Sequence, residues 1–255
     1  MTSAKFWRSI LGLALALLLW EIGSRRQWVP MDFVPPPTQV AAQMLQEMLT
    51  VRWWSSTGKT LGSWLSAIVT GCVIAIPLGL AIGSSEVLYR SIRVPLEFCR
   101  AISPVALIPI VVLIAGAKPL AAITLAVYGC VWPLLIQTIY GVRSVDPALR
   151  EVSRAYGISR GGVLSHLTIP AAMPYILTGL TVSSALSLIA IISTEIIIGV
   201  GGVGNEINVA RGSGAVLSAY AFTVWTGVLG LLIALLIGRI SRHFMRWQPT
   251  REMRA

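Results

Sequence analysis

Charge is scarce in this 255-residue chain: only 12% of its residues are Asp, Glu, Lys or Arg, against 55% that are hydrophobic. Soluble domains carry about 25% charged residues. With half that share a chain cannot cover itself in solvated side chains, so a freely soluble globule is excluded. A mean hydropathy of +0.78 agrees. Histidine and cysteine are scarce as well. His166 and His243 form no cluster, and Cys72, Cys99 and Cys130 stand far apart among apolar neighbours. No metal-ligand spacing is present, and an odd number of cysteines builds no disulfide framework. A membrane-embedded enzyme needs a nucleophile, a base or metal ligands to converge, and these residues do not supply them.

Acidic residues are also few. Ten Asp and Glu stand against 20 Lys and Arg, a net charge of +10. On a soluble domain that excess would point to nucleic acid. On a membrane protein it is topological, because Lys and Arg collect on cytoplasmic loops. No nucleic-acid partner is expected.

What the chain does have is long apolar runs. Crossing the hydrocarbon core takes about 20 apolar residues in a helix. Six segments qualify: Trp7–Gly23, Leu61–Gly83, Ala101–Ala115, Leu120–Tyr140, Ile176–Ile198 and Ala219–Gly238. The first has the basic start and apolar core of a signal peptide, but Trp20 and Glu21 close it where a small-x-small cleavage site would stand. It reads as a retained membrane helix. Six spans put both termini on one side. With both inside, only Arg25, Arg26, Arg52, Lys59, Lys118 and Arg211 of the 20 basic residues fall outside, which favours an N-in, C-in arrangement.

The expected fold is therefore an all-α integral membrane protein. It begins with a membrane helix (1–24) and an outer segment (25–59) carrying a short amphipathic helix. A five-helix core (60–240) with a cytoplasmic loop (142–175) follows, then a basic tail (241–255). In the outer segment, Val40, Ala41, Met44, Leu45, Met48 and Leu49 share one face and Thr38 is placed to cap the start. Such a helix lies against the bundle at the interface. Pro77, Pro104, Pro109 and Pro133 interrupt the spans, and the carbonyls they free need neighbouring helices or a wet cavity.

Two familiar patterns fail on context. Residues Gly58-Lys59-Thr60 end like a phosphate-binding loop, but Trp53 occupies the place of its first glycine and the segment opens a membrane helix. Residues Gly199–Gly204 match G-x-G-x-x-G, but follow a membrane helix rather than a strand, so they read as a flexible turn at the membrane boundary.

One segment breaks the apolar pattern on the side assigned to the cytoplasm. Asp146 before Pro147 is a strong helix start. Ala148, Leu149, Val152, Ala155 and Tyr156 share one face, and Arg150, Glu151, Ser153 and Arg154 share the other. Gly157 ends that helix. A second short helix begins near Ser159, with Val163, Leu164 and Leu167 apolar, before Pro170 and Pro174 turn the chain back into the membrane. Two short helices hinged at a glycine make a docking element: one face packs on the bundle and the other offers charges to a partner.

This segment resembles the "EAA" loop of ABC-transporter permeases: Glu-Ala-Ala, three residues, Gly, nine residues, then Ile-x-Leu-Pro. Glu151, Gly157, Leu167, Ile169 and Pro170 occupy the matching places, with Val152 and Ser153 where the pattern has alanines. Together with "FVPPP", "RVPLEFCRAISPVALIPIVVL" and "TEIIIGVGGVGNEI", the chain is similar to the nitrate/sulfonate/taurine branch of importer permeases. The resemblance implies a type I importer permease fold in the bacterial inner membrane. It also implies a second permease copy, two cytoplasmic ABC ATPase subunits and a periplasmic solute-binding protein. ATP and Mg would be bound by the ATPase, so this chain would hold no cofactor and catalyse no reaction itself. By the same resemblance Asp146, Arg150, Glu151, Arg154, Ala155, Gly157, Ser159, Arg160 and Pro170 would form the loop that transmits the ATPase stroke. The cargo would be a small anion such as a sulfonate, taurine or nitrate, the alternative being an aromatic acid or a pyrimidine vitamin precursor.

Glu195 lies inside the fifth span, where a carboxyl costs a few kcal/mol unless it meets a partner or a wet cavity. It reads equally as a gate residue, paired with an arginine such as Arg211, or as a hydrogen-bonded residue between helices. Arg100 and Arg211 stand near span ends, where they would line the route of an anionic cargo. A gradient-driven secondary transporter would want internal repeats and several intramembrane ionisable groups. The chain has no convincing repeat, and Glu195 alone sits deep.

Overall fold

The computed structural model describes residues 3–26 and 33–245; the tail from residue 246 and the stretch 27–32 lie outside them. Every regular element described is helical. In order these are α1 (Ser3–Arg25), α2 (Pro37–Glu47), α3 (Val51–Ser84), α4 (Glu86–Ala101), a 3₁₀ turn (Pro104–Leu107), α5 (Ile108–Ala115), α6 (Pro119–Arg143), α7 (Pro147–Ala155), α8 (Arg160–Val163), a π turn (Leu164–Thr168), α9 (Ile169–Ile198), α10 (Val203–Gly212) and α11 (Val216–Phe244). The helices α3, α6, α9 and α11 are each long and apolar enough to cross a membrane.

The apolar run at Ala101–Ala115 is not a straight span. The helical stretches on either side of Ile102–Ser103 meet at 79° and form a fifth crossing only if taken together. The apolar run expected as the third span is only the second half of this pair. Its partner, α4, was hidden by Glu86, Arg90, Arg93, Glu97 and Arg100, although Ser85 signals its start by accepting the Leu88 N–H at 3.3 Å. Pro104 and Pro109 fall at the starts of the 3₁₀ turn and α5, where no intrahelical N–H is missed. Pro170 and Pro174 do not turn the chain as expected. Pro174 sits inside α9. The π turn just before Ile169 lets helix run without a break from Arg160 to Ile198, its wider bonding absorbing the N–H that Pro170 lacks.

The chain divides into two compact units, Met1–Thr60 with Glu195–Val228 and Leu61–Thr194 with Leu229–Ala255. In the second, α3 presents Gly71, Ala75, Gly79 and Gly83 at four-residue spacing. A Cβ added at Gly79 would lie 2.6 Å from Thr138, and one at Gly83 2.7 Å from Val142, so small residues let α3 and α6 touch backbone to side chain. Close approach of this kind drives helix association where lipid removes the hydrophobic incentive. Leu134, Leu135, Ile139, Ala172 and Ile176 complete the core there.

The first unit is built on aromatics. Trp53 stacks on Phe222 with ring centroids 4.6 Å apart and on Trp225 at 5.2 Å. The Trp225 Nε1–H donates to Thr57 Oγ1 at 2.9 Å. The first turn of α2 is not capped by Thr38. Its N–H and hydroxyl instead donate to Glu21 of α1, at 3.1 and 2.9 Å. Glu21 thus ties α1 to α2. Of the expected apolar face of α2, Val40 alone is buried, and Leu45 stays exposed.

Candidate functional site

The charged loop forms the two helices expected of it. Asp146 Oδ1 accepts the Ala148 N–H at 2.9 Å, and Pro147 supplies a preset φ at the first position. Gly157 adopts φ +70° beyond the last turn of α7. Its N–H reaches Arg154 O, and the Ile158 N–H reaches Ser153 O, each at 3.0 Å. That pair of bonds closes a helix on a left-handed residue. Ser159 caps α8 by accepting the Gly162 N–H at 3.2 Å.

The apolar face of α7 does not pack as expected. Leu149 and Val152 are each 51% exposed and Tyr156 81%, so the apolar stripe of α7 looks outward. On the opposite face Arg150 and Ser153 are half-buried, while Glu151 and Arg154 stay exposed. The Arg150 guanidinium donates to Val142 O at 2.6 Å, filling a carbonyl left open near the end of α6. Arg150, Arg154 and Arg160 line a cleft of about 620 Å³ with Ser84 and Thr168. Among the described residues none of these three arginines has an ion-pair partner. Glu151 and Ala155 are exposed, and Pro170 is half-buried in the first turn of α9. Sequence reasoning missed the brace beside this loop: Arg143 of α6 binds Glu86 of α4 at 2.7 Å and stacks over Tyr89 at 4.1 Å.

Glu195 is 1% exposed. Its Oε1 and Oε2 lie 2.9 and 3.0 Å from the Thr60 hydroxyl, and Oε2 accepts the Gly204 N–H at 2.9 Å. Thr60 Oγ1 in turn accepts the Val203 N–H at 2.9 Å. Glu195 and Thr60 therefore take up the first backbone donors of α10, where the helix dipole favours an acidic group. A Cβ on Gly202 would overlap the Glu195 carboxyl, which is why the turn carries glycine there. The glycine-rich turn is thus pinned at one end rather than free. Of the two readings of Glu195, the hydrogen-bonded one describes its surroundings. Arg211 is not its partner. That side chain is exposed, 3.5 Å from Asn208 Oδ1, and borders an open cleft with Phe33, Ile207 and Tyr220. The Gly58-Lys59-Thr60 triplet lies within the helical run of α3, with no phosphate cradle. Arg100 pairs with Glu97 at 3.1 Å in the last turn of α4.

Comparison with known proteins places this geometry. Residues 48–248 match the family model described as "Binding-protein-dependent transport system inner membrane component". The chain is 30% identical over 240 residues to the nitrate import permease protein NrtB of Synechocystis sp., covering 91% of this chain and 86% of that one. It is 25% identical to the taurine transport system permease protein TauC of Escherichia coli, covering 94% and 89%. A solved chain of the MetNI methionine ABC transporter in an inward-facing conformation superposes with a TM-score of 0.67 at 21% identity. It covers 78% of this chain and 98% of that one, a likeness of fold.

Proposed function

Because the chain belongs to the family of binding-protein-dependent transport system inner membrane components, we propose that it carries a small anionic solute across the membrane in six spans, with both termini cytoplasmic. It is the permease of an ABC importer in the bacterial inner membrane. The six spans are α1, α3, the bent pair of α4 and α5, α6, α9 and α11. The positive-inside bias supports the orientation, and the 23 residues of α1 are long enough for the sixth crossing. Relatives named for nitrate and taurine support an anionic cargo.

Energy comes from separate ATP-binding subunits, which hold ATP and Mg while this chain binds neither. Two of them, a second permease copy and a periplasmic binding protein complete the transporter. One observation carries the coupling role: the bare apolar stripe of Leu149, Val152 and Tyr156. In water such a stripe costs free energy unless something covers it, so its natural occupant is a protein groove. Arg150 braces the stripe from behind, Gly157 hinges it, and the α8–α9 helix carries its movement toward the core of the second unit. Glu151, Arg154, Ala155, Ser159, Arg160 and Pro170 belong to the same device. Glu195 acts by holding the turn before α10, and Arg100 and Arg211 are the cations on the solute's route.

Co-expression with the ATP-binding subunit tests this. Wild type should co-purify with it, and Leu149→Asp and Glu151→Arg should each lower the yield of complex at least several-fold. If both variants retain the ATPase as wild type does, the loop is not the docking element. If wild type retains none, a gradient-driven transporter returns as the reading.

A further inference from the structure

The bend between α4 and α5 borders an open cavity of about 280 Å³ that the coupling device does not use. Broken helices occur at membrane depth only where protein or a water-filled cavity satisfies the freed backbone, and such breaks form solute sites in other transporters. The walls here are Pro104 and Val105 of the turn, Tyr128 and Trp132 near the midpoint of α6, and Leu186 and Ile189 of α9. Tyr128 and Trp132 are half-buried, while Val105, Leu186 and Ile189 stay 38%, 41% and 58% exposed, so the cavity opens to one side of its unit.

Two lining residues with donor groups stand at the open side of this apolar space, Arg100 and Ser103. Arg100 stands at its edge, held by a single ion pair to Glu97 one turn away. Half-exposed pairs of that kind are weak, so the guanidinium can exchange partners at little cost. The Trp132 indole belongs to the wall, its Nε1 buried without accessible surface. Ser103 precedes the 3₁₀ turn and its hydroxyl makes no capping bond. Tyr128, by contrast, is spent: its hydroxyl donates to Cys99 O at 2.6 Å and so fixes the end of α4 against α6. Gly129 lets the turn sit close, since a Cβ there would stand 3.2 Å from Pro104 Cγ.

We propose that this cavity binds a small organic anion, a carboxylate or sulfonate on an apolar or aromatic body, with Arg100 as its counter-charge. The proposal rests on the importer reading and names the class of solute. An apolar pocket with a few placed polar groups is the usual form of a small-molecule site. Arg100 and Ser103 take the anionic oxygens, and the proline, aromatic and aliphatic walls cover the body. A bare inorganic anion such as nitrate would press unsatisfied oxygens against those walls, which is costly.

The test is calorimetric titration of the permease–ATPase complex in lipid nanodiscs with sodium benzenesulfonate and with sodium nitrate. Benzenesulfonate is expected to bind at least about tenfold tighter than nitrate, a difference of about 1.4 kcal/mol. Arg100→Gln should weaken it at least about tenfold, with partial recovery in Arg100→Lys, and Ser103→Ala should weaken it several-fold. Variants that co-elute with the ATPase are folded. Equal binding of the two anions, unchanged binding by Arg100→Gln, or a wild-type complex that hydrolyses ATP yet binds no benzenesulfonate each overturns the proposal. A chain that binds benzenesulfonate through Arg100 but retains no ATPase sustains the site and overturns the coupling reading instead.

Discussion

At the scale of single residues, Thr60 and Glu195 carry more than their number suggests. Thr60 uses one oxygen both to give to Glu195 and to take from Val203. Thr60→Val keeps the volume but strands a carboxyl oxygen and an N–H. A buried group left unmade costs about 1–3 kcal/mol, so the purified protein should melt several degrees lower. Glu195→Gln keeps an acceptor for Gly204 and should lose less. An unchanged melting temperature in Thr60→Val would mean the network contributes nothing to stability. Gly202→Ala should be harsher than Gly201→Ala. The first meets a fixed carboxyl and the second only the flexible end of Lys59. The sequence marked Glu195 as needing a partner. It could not say which, because Thr60 is 135 residues away and looked like the end of a phosphate loop.

Elements show how spacing becomes packing. Gly71, Ala75, Gly79 and Gly83 fall on one face of α3, but a repeat tells which face is small, not which helix it meets. Gly79→Leu should push α3 off α6 at Thr138 and cut the folded yield from detergent, since overpacking costs about 1–3 kcal/mol. Gly58→Leu, with open space at its Cβ, is the control and should behave as wild type. If both variants fold alike, close approach at Gly79 is not what joins the helices. In the charged loop, Gly157 has room for a side chain but not the backbone for one. Gly157→Val should therefore strain the hinge by about 1–2 kcal/mol. ATP-driven solute uptake in proteoliposomes should fall while the unaltered apolar stripe still retains the ATPase. Loss of the ATPase itself would show that Gly157 shapes the docking surface rather than the hinge.

For the whole molecule the question is which ends of the spans face which compartment. Cys72 and Cys99 are half-buried and Cys130 is buried, so added cysteines can be read over a low background. Leu49, 88% exposed, follows α2, and Tyr156, 81% exposed, ends α7. Leu49→Cys should react with a membrane-impermeant maleimide in intact spheroplasts. Tyr156→Cys should react only after permeabilisation. The opposite pattern would invert the topology and remove the loop from the reach of a cytoplasmic ATPase.

Features that depend on neighbours along the chain were written in the sequence. The apolar runs are local because each helix must span the hydrocarbon on its own. The caps at Asp146, Gly157 and Ser159 are local because they satisfy donors and acceptors within one turn. Contacts between distant helices were decided only by the fold. Periodicity divided α7 into an apolar and a charged face, but the open carbonyl of Val142 drew Arg150 inward and left Leu149, Val152 and Tyr156 bare. Composition marked Arg100 as a basic residue at the edge of an apolar run. The 79° bend after α4 made it the lip of a cavity, because a cavity is a relation among α4, α6 and α9 that no single segment contains.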